Sequence, residues 1–331
     1  MALQPWRELL GKIIADSQER ARLATALGIN AVTLIRWAKG ESNPRPQNLY
    51  TLLRLLPAEY RDQMSELLLQ AFPESMSDLK GAEHDDSVGK IPSDFYASVL
   101  EAIARTGKDQ LFFTVSNRVL TQALGQIDPN NLGTALSIAQ CLPPLPGQKV
   151  RSLREVVGRG TPPWPSTLFQ EALLLGIESL AGYALQKGRT YVAEDRSERS
   201  GFLAVRWEEW EESAVACPIM REGRFAGCFI ASSTQPGYFV PFRQTLIERY
   251  AMLMALAFEP EDFYDLRDIQ LVIMPSHDVQ RERAANFRQR LSQMILEASR
   301  TGQVINIVQA ERLVWQQLEE EFLGLLMQST E

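Results

Sequence analysis

The sequence predicts a multidomain chain: an all-α helix-turn-helix head, an α+β body in which helices cover an antiparallel sheet, and a helical C-terminal extension. Three observations carry this. Roughly the first fifth of the chain consists of short apolar stripes at helical spacing, punctuated by capping and turn residues. Ser213–Ile219 and Arg224–Ser233 read as two short strands across a turn at 220–223. Phe287, Leu291, Met294 and Ile295, then Ile307, Ala310, Val314, Leu318, Phe322 and Leu325, return to helical spacing. A length of 331 residues fits about two domains with an extension. The expected boundaries are a head over 1–72, a linker over 73–92, a body over 93–258 and the extension over 259–331.

The head begins with Trp6, Leu9, Leu10, Ile13 and Ile14, one helical stripe ending near Asp16 or Ser17. Leu23, Ala24 and Leu27 form the next. Gly28 suits the sharp turn that follows, because a residue just past a helix end often needs φ > 0. Asn30 is a good N-cap for a helix that turns Leu34, Ile35 and Trp37 inward. Gly40, Asn43 and Pro44 stop it. Leu49, Leu52, Leu53 and Leu56 form a further stripe, as do Tyr60, Met64, Leu67, Leu68 and Ala71, and Pro73 closes the head.

Charge separates head from body. The whole chain carries −7. Up to Pro57, however, Arg7, Lys12, Arg20, Arg22, Arg36, Lys39, Arg45 and Arg54 stand against Glu8, Asp16, Glu19 and Glu41, leaving about +4. Phosphate neutralisation is local, so only the head need be basic for nucleic-acid binding.

The pattern Leu23-Ala24, Leu27-Gly28-Ile29, Trp37, Gly40, Pro44 and Leu52 resembles the lambda-repressor/Cro-like (Xre) family. Two positions depart from it: Arg20 stands where the family often has Gln, and Ala38 where it often has Glu. The resemblance implies that the helix opening at Asn30 is a recognition helix, whose N-terminal end enters the major groove of double-stranded DNA. Asn30, Ala31, Val32, Thr33 and Arg36 would then meet base edges or phosphates, and Arg20, Lys39 and Arg45 would hold phosphates. The competing reading is a signalling or interaction protein whose helical head makes protein contacts only.

Glu74–Pro92 is acidic, carries Gly and Ser and has few large apolar residues, so a flexible linker is expected. His84 beside Asp85 and Asp86 belongs to this stretch and reads as solvated. Phe95, Val99 and Ile103, then Leu111, Val115, Val119 and Leu120, give two helical segments. A strand is expected within Leu132–Leu142, and another within Lys149–Gly158. Phe169–Leu185 reads as helical overall, broken at Gly176 and Gly182. Pro241–Phe258 is an amphipathic helix with Phe242, Leu246, Tyr250, Leu253, Met254 and Ala257 on one stripe.

From Ser93 to Phe258 this layout resembles a GAF domain, through the helix at Leu180–Leu185, Gly188-Arg189, the short strand ending at Asp195, and the Cys217-Pro218-Ile219 and Gly227 strands before a long helix. The resemblance implies a sensor domain with a pocket for a small-molecule effector, or one used for dimerisation. The cyclic-nucleotide and bilin signatures of the family are not found, so the cofactor is unknown. Tyr183, Tyr191, Trp207 and Trp210 fall around the expected pocket mouth, with Arg196, Arg199 and Arg206 in the same segment. Tyr183, Tyr191, Arg196, Trp207 and Cys217 are the candidate ligand residues. Core packing competes as a role for the aromatics, and Cys217 reads also as a small core residue.

The cysteines Cys141, Cys217 and Cys228 include no CxxC, and His84 and His277 are the only histidines, so no metal site is expected. Sparse cysteines suit a reducing compartment. With no leader and no apolar run long enough to span a bilayer, a cytoplasmic protein without membrane contact is expected. No Ser-His-Asp set, P-loop or GxGxxG is present, and the chain is expected not to be an enzyme. A homodimer is expected, as palindromic operators mirror protein two-fold symmetry. Its seam is assigned to Val314, Leu318, Phe322 and Leu325 of the last helix, in preference to Leu246, Tyr250, Leu253 and Met254.

Overall fold

The computed structural model describes residues 4–27, 29–44, 46–56, 58–72, 90–167, 174–194, 210–303 and 305–328. Gly28, Arg45, most of the expected linker, Arg196 and Trp207 lie outside them. The chain divides into two units, Met1–Pro92 with Val240–Arg243, and Ser93–Phe239 with Gln244–Glu331.

In the N-terminal unit, local capping chemistry sets the helix ends. Helix α1 (Pro5–Ile13) starts on a proline, whose missing N–H costs nothing there. The Asp16 carboxylate accepts the Gln18 N–H and caps α2 (Ser17–Ala26). The Ile29 N–H returns to the Ala24 carbonyl at 3.0 Å and closes α2. Asn30 accepts the Val32 N–H at 2.9 Å and opens α3 (Ala31–Lys39). Gly40 ends α3 with φ 78°, and the Glu41 N–H reaches back to Arg36. Helices α4 (Pro46–Leu55) and α5 (Ala58–Ala71) complete this unit. Trp6, Leu10, Leu23, Leu34, Trp37, Leu52, Met64 and Leu68 share one buried core, so the expected stripes all face inward.

The second unit opens with α6 (Ser93–Arg105) and α7 (Lys108–Ile127). The sheet follows, built from β1 (Thr134–Cys141), β2 (Leu153–Gly160), β3 (Leu174–Leu175), β4 (Tyr191–Ala193), β5 (Ser213–Arg221) and β6 (Arg224–Ser233). Its order is β3-β2-β1-β6-β5-β4, with every neighbouring pair antiparallel. The β5–β6 hairpin turns through Glu222 (φ 54°) and Gly223 (φ 76°), the left-handed pair that matches strand twist. Helix α8 (Leu180–Lys187) lies on one face, over Ala139, Cys141, Ala214, Ala216 and Cys228. On β6 the side chain of Phe229 alternates to the other face, where its ring stacks against Tyr250 of α9 (Pro241–Met254). Helices thus cover both faces of one antiparallel sheet.

Of the expected helix Phe169–Leu185, residues 169–173 lie outside the described residues, and the described part departs from it. Leu174 and Leu175 form the edge strand β3, and the helix runs only over Leu180–Lys187. Gln280 explains the strand: its amide accepts the Leu174 N–H and donates to the Leu174 carbonyl, each at 2.9 Å, standing in for a strand partner. Gly176 and Gly182 mark a close crossing rather than a kink. A Cβ on Gly182 would sit 2.0 Å from the Gly176 carbonyl oxygen, and one on Gly176 would sit 1.9 Å from that of Val272. Gly182→Ala is therefore expected to destabilise this unit by about 1–3 kcal/mol, the usual cost of overpacking, although alanine favours helices. Urea denaturation measures it, and a neutral result would mean that α8 can lift away.

The C-terminal helices are α10 (His277–Ala284), α11 (Phe287–Arg300) and α12 (Ile307–Gln328). They belong to the same unit as the sheet. Val314, Trp315, Leu318 and Phe322 are buried against Leu142, Leu174 and Met274. Glu319 accepts from Ser152 and pairs with Arg151 at 2.6 Å. The seam assigned to α12 is thus covered by its own chain. So is the alternative: Leu246, Tyr250, Leu253 and Met254 are all buried. The assignment of the homodimer seam to α12 is corrected, because Val314, Leu318 and Phe322 pack against their own unit.

Candidate functional site

In the N-terminal unit, the helical period divides α3. Leu34 and Trp37 go into the core, while Val32, Arg36 and Lys39, spaced by four and three, stay exposed. Val32 is 53% exposed, unusual for a β-branched apolar residue in a small helical unit. Ala31 and Thr33 are half-buried beside them, and Asn30 spends its side-chain oxygen on the N-cap. Arg36 and Lys39 make no hydrogen bond or ion pair among the described residues. Arg20 differs, as its guanidinium donates to the Ile14 carbonyl at 2.9 Å and seals the end of α1. Arg45 lies outside the described residues.

Arg7, which the sequence reading counted only as a charge, sets the far end of α3. Arg7 is buried, and its guanidinium donates to the carbonyls of Trp37 and Ser42 and to the Asn43 side chain. It also lies 4.4 Å from the Trp6 ring centroid. Only its position on a buried stripe, between Trp6 and Leu10, could have flagged it.

In the second unit the structure brings Tyr183 and Tyr191 together. Tyr183 projects from α8 and Tyr191 from β4, with hydroxyls 3.1 Å apart and rings edge to face at 4.4 Å. Lys187 lies over the Tyr183 ring, and Arg189 over the Tyr191 ring while donating to its hydroxyl at 3.2 Å. The bond from Tyr183, then Arg189, lowers the Tyr191 phenol from its ordinary value, and the same bond raises that of Tyr183. Two cations and two phenols at one sheet edge present donors and π-faces to an anion or a planar group. Trp210 is elsewhere, set edge-on to Trp164. Arg196, Arg199, Arg206 and Trp207 lie outside the described residues.

Cys217 does not join this pair. Tyr191 pairs with Ala216, whose side chain faces α8, so Cys217 faces the other way. There it meets Thr190, whose hydroxyl is 3.4 Å from its sulfur and 2.8 Å from Glu248 of α9. Burial pushes its thiol up to about 11 from 9.0, and raises those of Cys141 and Cys228 further. Thiolates are therefore scarce in the folded chain at neutral pH. The thiols also make folding pH-dependent. The unfolded thiol ionises first, so their contribution holds below pH 9 and is lost as pH rises toward 11. All three are expected to resist a thiol-specific disulfide reagent at pH 8 and to react at once in denaturant. Fast native labelling would mean that the sheet opens.

No protein-family model matches the sequence, and no curated protein matches it. Among solved structures, the chain is similar to the GAF domain of an Acinetobacter phosphoenolpyruvate-protein phosphotransferase, at 16% identity over 50% of this chain and 90% of that one, with a TM-score of 0.37. It is also similar to a free methionine-R-sulfoxide reductase from Neisseria meningitidis in complex with its substrate, at 14% identity over 50% and 86%, with a TM-score of 0.34. A type II free methionine-R-sulfoxide reductase from Thermoplasma acidophilum matches at 14% identity over 44% and 94%, again with a TM-score of 0.34. At these identities the likeness concerns the fold alone. The expectation that the chain is not an enzyme is withdrawn, because free methionine-R-sulfoxide reductases stand among the chains it is similar to. Among the described residues no helix is long and apolar enough to cross a membrane.

Proposed function

We propose that this protein is a DNA-binding transcriptional regulator of the Xre type, in which the GAF-like unit binds a small effector. The observation that carries the reading is the exposed stripe Val32, Arg36 and Lys39 on a helix capped at both ends within a basic head. The cap fixes the N-terminal turn that would enter the major groove. Arg36 would reach a guanine edge or a phosphate, Val32 would meet a thymine methyl, and Lys39 would hold a phosphate. Asn30 has its oxygen on the cap, so its amide remains as a donor. Arg20 is reassigned from a phosphate contact to a structural bond within the head.

Regulation would follow from linkage. An effector that favours one conformation of the GAF-like unit shifts operator affinity by its own differential affinity for the two states. Two heads per operator call for a homodimer, and its seam must lie outside the two buried stripes.

Selection of bound sites from genomic DNA, followed by fluorescence anisotropy at several salt concentrations, tests this. Arg36→Ala is expected to weaken specific binding by about 1–3 kcal/mol. Lys39→Ala is expected to weaken binding to all sequences and lower the salt slope by about one. If neither substitution changes affinity, or no duplex binds in a salt-dependent way, the head is a protein-contact module.

A further inference from the structure

We infer that the cleft between α7, the end of β2 and the 161–166 loop binds a small oxyanion, a carboxylate or a phosphate, through Arg159. This site is independent of the DNA-binding reading and lies away from the Tyr183–Tyr191 pair. The cleft has a volume of about 410 Å³ and is lined by Thr121, Gly125, Asn131, Arg159, Thr161 and Ser166, among others. That is the size of a small-molecule site.

Arg159 is one of two arginines, with Arg154, whose Nε is buried without an acceptor, and it is the one that lines this cleft. Its sole hydrogen bond among the described residues is a long one, from Nη2 to the Asn117 side-chain oxygen at 3.5 Å. A buried guanidinium N–H left without an acceptor is costly, and structures rarely keep one without a use for it. The guanidinium fork fits the paired oxygens of a carboxylate or phosphate.

The obvious internal acceptor is already engaged. Asp128 also lines the cleft, but Oδ1 accepts the Leu132 N–H at 2.7 Å, and Oδ2 accepts the Thr161 hydroxyl at 2.6 Å and the Gly133 N–H at 3.2 Å. Its charge is spent on holding the loop, and it makes no ion pair with Arg159. The cleft wall is firm, since a Cβ on Gly160 would meet the Trp164 Cβ at 2.7 Å. At Gly125, by contrast, an added Cβ meets nothing within 4 Å, so the cleft is open there.

The test uses the full chain, with sodium phosphate and sodium acetate as probes against sodium chloride at equal ionic strength. Thermal melting is expected to show a saturable rise with at least one probe, and which probe succeeds separates phosphate from carboxylate. Arg159→Gln is expected to weaken that binding at least tenfold. Gly125→Met fills the cleft and is expected to abolish the shift while raising the melting temperature without ligand, because methionine favours the helix more than glycine. Should Arg159→Gln fail to fold, Gly125→Met decides alone. No shift beyond chloride with either probe, or a shift that survives Gly125→Met, overturns the proposal.

Discussion

Leu318→Asp is expected to destabilise the second unit by at least about 4 kcal/mol, the sum of a lost apolar burial and an unpaired charge in the interior. Leu318 is fully buried on the inner face of α12, among Val314, Phe322, Leu142 and Leu174. The new carboxylate would also sit next to Glu319, which is buried and already bound by Arg151 and Ser152. For a unit of this size, that is roughly 10 °C in melting temperature. Leu313→Asp on the same helix is the control. Leu313 is 38% exposed, and its change should stay within about 0.5 kcal/mol. An intermolecular seam at Leu318 would instead show dissociation with the fold retained. Sedimentation and melting curves on both variants separate the two outcomes.

The contrast shows why this seam was misplaced from sequence. Spacing says that Val314, Leu318 and Phe322 share a face, but nothing in spacing says what covers it. The partners, Leu142, Leu174 and Met274, come from segments far away in the chain. Locally encoded features fared better. The head stripes have the period of a helix, Asn30 and Gly40 have the chemistry of caps, and the Arg224–Ser233 strand follows a turn that Glu222-Gly223 can make.

Where local rules are ambiguous, reading failed in recognisable ways. Leu173 to Leu175 is a short apolar run, which suits a buried helix or a strand equally, and Gln280 supplies the strand bonds from over a hundred residues away. Helix α10 offered no stripe, because its one buried residue is Gln280 itself. Strand alternation groups Cys217 with Val215 and Ile219. Only the β4–β5 register showed that this group faces away from Tyr183 and Tyr191. The Arg159 cleft was beyond reach, since its walls come from α7, β2 and a loop.

Arg7→Met is expected to cost the head about 3–5 kcal/mol and, if the head binds DNA as proposed, to abolish that binding without altering a proposed DNA contact. Arg7 ties the first helix to the end of α3, accepted by the carbonyls of Trp37 and Ser42 and by Asn43. Hydrogen bonds from a charged donor are worth about 1.5–3 kcal/mol each, and removing the donor strands acceptors in a buried place. Methionine keeps the packing over Trp6 but supplies no donor. Arg7→Lys retains the charge, but an ammonium cannot reproduce the fork that spans the 37–43 segment, so most of the loss should remain. Calorimetric melting of the full chain, in which the transition of the head shifts against that of the second unit, reports the head. A head that melts at its usual temperature in Arg7→Met would remove Arg7 from the account of how α3 is held. Loss of DNA binding with an intact melt would instead move Arg7 to the DNA-contacting set, and the two readouts together decide between these roles.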